Sequence, residues 1–242
     1  MKEIYLIRHG QTDNNKFGKA QGGGVDSELN DIGIEQANFT GKYLKDYRLN
    51  NQFDVVYSSP LKRAKKTAEI ICNKIGFDKS KIIIDNNLKE KDEGELGSGL
   101  TWAEMQKEPK FKQYVKIFEK VEKIKDPIDK WLHYYDKETE NHIKKLYGAE
   151  THLDIIKRIK KFIKVIKKSK ANKILVIAHG GSIYDMLDIM FNIGFSGSRK
   201  MNDFTYGSNC HITYIHQNKN GFQLITPPNT QHFAIYNKNY AK

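Results

Sequence analysis

Apolar residues follow two rhythms along this chain. Short unbroken runs, Lys2–Ile7 (KEIYLI), Phe53–Ser58 (FDVVYS) and Lys173–Ala178 (KILVIA), have the length and the Ile, Val, Leu and Tyr content of buried strands. Lys81–Ile84 reads as a further short strand, and Asn209–Ile215 with Phe222–Ile225 as a hairpin turning over Asn218–Gly221. Between them lie longer stretches with apolar positions three and four apart. Asn30 or Asp31 caps a helix running to about Leu44, a second helix covers Leu61–Asn73, and a third follows His179-Gly180-Gly181-Ser182 over Ile183–Asn192. In His152–Lys170 the residues Ile155, Ile156, Ile159, Ile163 and Ile166 form one stripe, while lysines crowd the rest of the surface. Strands alternating with helices predict an α/β fold, and this basic amphipathic helix reads as a crossover packed on the sheet.

The rhythm changes over Glu95–Gly148. Helical spacing is expected over Thr101–Glu108, Phe111–Lys125 and Ile128–Tyr147, with a break at Asp126-Pro127. Such an insertion reads as a substrate-selecting cap or as extra packing on the core. Lys16–Asn30 is glycine-containing and reads as a flexible loop. The tail Thr226–Lys242, polar with two prolines, is expected to be loosely docked.

With 242 residues the chain can form one large α/β domain, read here as a single domain over 1–242 with a helical cap at about 95–148. No apolar run approaches 18 residues and no leader pattern opens the sequence, so a cytoplasmic protein without membrane association is expected. Cys72 and Cys210 sit in apolar contexts without a CxxC partner and are expected to be reduced and buried. The net charge of +12 favours anionic partners, but no zinc finger or RNA-binding aromatic motif points to nucleic acid.

Candidate chemistry gathers where strands stop. Arg8-His9-Gly10 follows the first strand, at the strand end where open α/β sheets place ligands. Arg8 offers a permanently charged fork of donors, His9 a nucleophile near neutral pH, and Gly10 a sharp turn. Arg63 falls in the first turn of the helix after Ser58-Ser59-Pro60, beside its positive dipole end. Glu90 is a carboxyl suited to protonating a leaving oxygen. His179-Gly180 repeats the opening arrangement after the strand KILVIA.

These pieces, in this order, resemble the histidine phosphatase superfamily, the phosphoglycerate-mutase-like proteins. Leu6–Thr12 with Asn15, Gln21-Gly22, Ser58–Ala64, Leu88-Lys89-Glu90, Gly148–Thr151 with Asp154 and Arg158, and Ala178–Gly181 carry the resemblance. It implies a three-layer α/β sandwich with a mainly parallel central sheet flanked by helices. It also implies a covalent phosphohistidine mechanism without metal or other cofactor. His9 would attack phosphorus, while Arg8, Arg63 and His179 hold its oxygens. Asn15, Gln21 and Gly180 would add substrate contacts, and Glu90 would protonate the leaving group and then activate water. Cofactor-dependent mutases carry paired arginines where this chain has Glu119-Lys120, and an aromatic residue where it has Glu93. That difference favours a phosphohydrolase of the histidine acid phosphatase type over a phosphoglycerate mutase, with a non-catalytic phospholigand-binding protein as the different-class alternative. The expected partner is a small phosphorylated substrate or a phosphoprotein. A homodimer through a sheet edge stays open.

Overall fold

The computed structural model describes residues 1–48, 53–109, 111–112, 141, 144–192 and 208–236. In chain order its main elements are β1 (Lys2–Arg8), α1 (Asp13–Lys16), β2 (Lys19–Gln21), α2 (Asp31–Tyr43), β3 (Val55–Ser58), α3 (Lys62–Ile75) and β4 (Ile83–Ile84). Then come β5 (Ser98–Thr101), α4 (Trp102–Met105), α5 (His152–Lys168), β6 (Lys173–Ala178), α6 (Gly180–Phe191), β7 (Ile212–Asn218), β8 (Gly221–Asn229) and α7 (Gln231–Tyr236). Two compact units result. One comprises Met1–Asp13, Asp26–Glu90 and Arg158–Lys242, the other Asn14–Val25 and Lys91–Lys157.

The first unit is built on a six-stranded sheet in the order β4-β3-β6-β1-β7-β8. β4, β3, β6 and β1 run parallel, whereas β7 and β8 form the expected antiparallel hairpin at the edge. The expected mainly parallel sheet flanked by helices is therefore present. Successive side chains point to opposite faces. Tyr5, Ile7, Val56, Leu175 and Ile177 pack with Ala64, Ala68, Ile71 and Cys72 of α3 on one face. On the other, Tyr57 meets Phe162 of α5 edge-on. The isoleucine stripe of α5 is buried at Ile155, Ile159, Ile163 and Ile166, as a crossover helix requires. Lys2 Nζ donates to the Ile166 and Lys167 carbonyls at 2.9 and 2.8 Å, which satisfies the end of α5.

Register sets the position of the strand ends. Arg8 lies opposite Ala178, and Ser58 opposite Ile177. β1, β6 and β3 thus stop level, and His9, His179 and Ser59 leave the sheet side by side. Cys72 and Cys210 are free and buried, as expected.

Three expectations need correction. The loop 16–30 holds β2, which pairs antiparallel with β5 in the second unit, Lys19 opposite Thr101 and Gln21 opposite Ser98. The insertion expected to be mostly helical opens with a 3-10 turn over Gly94–Gly97 and then the strand β5, and α4 is shorter than Thr101–Glu108. The helices expected over 111–125 and 128–147 lie almost wholly outside the described residues. The described part of the tail, residues 226–236, is not loose: β8 runs to Asn229, and α7 buries His232 and Phe233. Pro227 and Pro228 are tolerated because β8 is an edge strand. No helix among the described residues is long and apolar enough to cross a membrane.

Candidate active site

His9 sits just past β1, only 2% exposed. Its backbone is held from three directions. The His9 N–H donates to Ala178 O at 3.0 Å, and its carbonyl accepts from Cys210 N at 3.2 Å and Asn209 Nδ2 at 3.0 Å. Its Nδ1 lies 2.7 Å from Gly10 O. A carbonyl only accepts, so Nδ1 carries the hydrogen and Nε2 keeps its lone pair. Gly10 is required by packing: a Cβ there would stand 2.4 Å from Gly33 O, where α2 crosses the loop. The Gly10 N–H donates to Thr67 Oγ1 at 3.0 Å, and that hydroxyl donates to Arg63 O at 2.7 Å. One threonine thus ties the histidine turn to the helix bearing Arg63.

Arg63 is fully buried in the first turn of α3. Burial pushes its pKa down to about 10, against the opposing pull of the Glu90 and Asp26 carboxylates. It stays charged at neutral pH. The helix end is closed from outside, since Asp26 Oδ1 accepts the Lys62 N–H.

His179 is the N-cap of α6 and fully buried. Its Nε2 meets Ser59 Oγ at 2.8 Å, while its Nδ1 has no hydrogen-bond partner. The ring centroids of His9 and His179 are 5.1 Å apart. Both imidazoles have pKa values well below the ordinary 6.5, first through burial, then through the Arg63 and Arg8 charges. Two neutral imidazoles beside two guanidiniums form a pocket suited to an anion.

Glu90 reaches the same place. Its Oε2 accepts the Gly181 N–H, in the first turn of α6, at 3.0 Å. A Cβ on Gly181 would approach Glu90 Oε1 closely, so any larger residue there would push that carboxyl group aside. A Cβ on Gly180 would stand 3.5 Å from Arg8 Nε, an ordinary contact. Arg8, His9, Arg63, Glu90, His179 and Gly180 therefore converge in the first unit. Asn15 and Gln21 lie in the segment Asn14–Val25 of the second unit. Sequence reasoning overlooked Gly181, Thr67 and Ser59 as site-forming residues. It also placed Arg158 in a motif without a task. The Arg158 Nη1 donates to Asn87 O at 2.9 Å and Lys89 O at 2.7 Å, fixing the segment that delivers Glu90. Among the described residues, no group of three or more His, Cys, Asp or Glu side chains could hold a metal ion.

The family model of the histidine phosphatase superfamily (branch 1) matches residues 4–230. This chain belongs to that superfamily. It is 29% identical over 217 residues to a putative phosphoserine phosphatase 2 of Hydrogenobacter thermophilus, covering 89% of this chain and 90% of that one. A 2,3-bisphosphoglycerate-dependent phosphoglycerate mutase of Allorhizobium ampelinum is 43% identical over 97 residues, 40% of this chain and 44% of that protein. A crystal structure of a putative alpha-ribazole-5'-P phosphatase from Escherichia coli shares the fold, with TM-score 0.69, 20% identity and coverage of 94% and 96%. As a histidine phosphatase superfamily member, the protein is an enzyme of the phosphatase or mutase kind.

Proposed function

We propose that this histidine phosphatase superfamily member is a phosphohydrolase acting on a small phosphomonoester through a phosphohistidine at His9. The observation that carries the reading is the His9 Nδ1–Gly10 contact, which leaves a bare Nε2 among Arg8, Arg63 and His179. In the first step the Nε2 lone pair attacks phosphorus and the ester P–O bond breaks. The leaving alkoxide takes a proton that Glu90 has first taken up from the bound phosphate monoanion or from solvent. Charge growing on the equatorial oxygens is met by Arg8, Arg63 and His179. In the second step Glu90, now a carboxylate, takes a proton from water, whose oxygen attacks phosphorus. The P–N bond breaks, inorganic phosphate leaves, and His9 recovers its lone pair. Asn15 and Gln21 are assigned further phosphate contacts, and substrate choice is assigned to the insertion at about 95–148.

A mutase must instead retain a bisphosphorylated acid. Glu93 speaks against that, with a carboxylate paired to Lys91 at 3.1 Å where mutases carry an aromatic residue. Glu119-Lys120 lies outside the described residues. The test compares free phosphate released from a panel of phosphomonoesters with 3-phosphoglycerate isomerisation, with and without 2,3-bisphosphoglycerate. Phosphate release that needs His9 and exceeds mutase turnover is expected. Fast bisphosphoglycerate-dependent isomerisation would overturn the hydrolase reading.

A further inference from the structure

Thr67 has no part in the chemistry proposed above, yet it stands where two of its participants meet. It is fully buried in α3, one turn after Arg63. Both of its hydrogen bonds have a fixed direction. A carbonyl only accepts, so the 2.7 Å contact with Arg63 O is a donation from the Thr67 hydroxyl. That hydroxyl has no second hydrogen, and it accepts the Gly10 N–H at 3.0 Å. The bond back to Arg63 O selects the side-chain rotamer, and with it the direction of the lone pair that meets Gly10.

Gly10 passes this constraint to the nucleophile. Its N–H is held by Thr67, and its carbonyl accepts the His9 Nδ1 hydrogen at 2.7 Å. The peptide unit of that carbonyl is anchored again at its far side, where the Gln11 N–H donates to Gln36 Oε1 at 2.9 Å. Of these two anchors, Thr67 is the one bonded to Arg63. We propose that Thr67 is a positioning residue for phosphoryl transfer, holding His9 Nε2 at the distance and direction from Arg63 that in-line attack needs. This rests on the phosphohistidine reading. Without the hydroxyl, Arg63 stays seated by its own helix, while the histidine turn loses its tie to it. A displacement of about 1 Å costs about a hundredfold in rate, so the loss falls on kcat rather than on KM.

Thr67→Val keeps the shape and removes the hydroxyl, whereas Thr67→Ser keeps the hydroxyl. Both are compared with wild type and His9→Ala in steady-state kinetics with one phosphomonoester. Inhibition by vanadate, which mimics the five-coordinate transition state, is measured beside inhibition by inorganic phosphate. Thr67→Val is expected to lower kcat and weaken vanadate about ten- to a hundredfold, with KM and phosphate inhibition within about threefold of wild type. Thr67→Ser is expected to stay within about threefold throughout. A purely structural role would lower Tm and leave the vanadate-to-phosphate ratio unchanged. If Thr67→Val does not fold, hydrogen exchange of the wild type decides: the Gly10 amide is expected to be as protected as those of β1. An unchanged kcat or ratio in Thr67→Val, an equal loss in Thr67→Ser, or a Gly10 amide that exchanges like an open loop would overturn the proposal. Activity that survives His9→Ala overturns the phosphohistidine reading and the positioning role together. Wild-type kcat in Thr67→Val beside an inactive His9→Ala overturns the positioning role alone.

Discussion

The chemistry proposed for His9 and Glu90 depends in each case on one neighbour. The Gly10 carbonyl selects the His9 tautomer, and the Gly181 N–H seats the Glu90 carboxylate. If Glu90 serves both steps, Glu90→Gln slows turnover of an alkyl phosphate about 10²–10⁴-fold. With p-nitrophenyl phosphate, whose leaving group needs no proton, the same variant gives a stoichiometric burst of nitrophenol followed by slow release. A linear time course without a burst would remove Glu90 from the second step. Gly181→Ala displaces Glu90 and loses activity in the same direction. The proposed roles of Arg8, His9, Arg63 and His179 could be read because each stands just past a strand or at a helix start, and the proposed role of Glu90 came with the family resemblance. Gly181 could not be read, because the constraint on it arises from a residue 91 positions away.

At the scale of elements, legibility follows how local the cause is. KILVIA forms β6 residue for residue, since an unbroken apolar run has no other stable place. Asn30 caps α2 through a bond to Gly33 N at 2.9 Å, a purely local interaction. β2 and β5 depend on a partner about 80 residues distant and carry little apolar signal of their own. The reach of β8 past Pro227 was hidden because prolines exclude only a central strand. The function of α5 was half legible: its stripe predicts packing, but not that Arg158 holds two carbonyls before Glu90. Arg158→Met is expected to lower kcat about ten- to a hundredfold with a smaller change in KM, because Glu90 is misplaced rather than removed. Arg158→Lys is expected to recover part of the loss. Steady-state kinetics with one phosphomonoester check this, and an unchanged kcat in Arg158→Met would contradict it.

Across the molecule, four buried histidines among the described residues are held neutral. His9, His179, His211 and His232 all have pKa values below the ordinary 6.5, at about 3 for His211 and His232. Below pH 6.5 the unfolded chain binds protons that the folded chain refuses. The stability they permit is full above that pH and is lost as pH falls toward the folded-state values. Each site removes up to about 1.4 kcal/mol per pH unit within its window. The urea midpoint is therefore expected to hold near pH 7 and drop steeply between about pH 6 and 4. Neither ring nitrogen of His211 has a hydrogen-bond partner, so His211→Leu leaves no lost bond behind. It is expected to flatten the pH dependence by about one proton; an unchanged slope would show that His211 titrates normally.

The most direct test of the account is where phosphorus is bound during turnover. Enzyme mixed with a phosphomonoester that it hydrolyses is quenched in alkali, which preserves phosphohistidine, and examined by phosphorus NMR and peptide mapping. The account predicts one phosphoryl group on Nε2 of His9, absent from His9→Ala. A phosphoryl group on Nδ1, on His179, or on no histidine at all would contradict it.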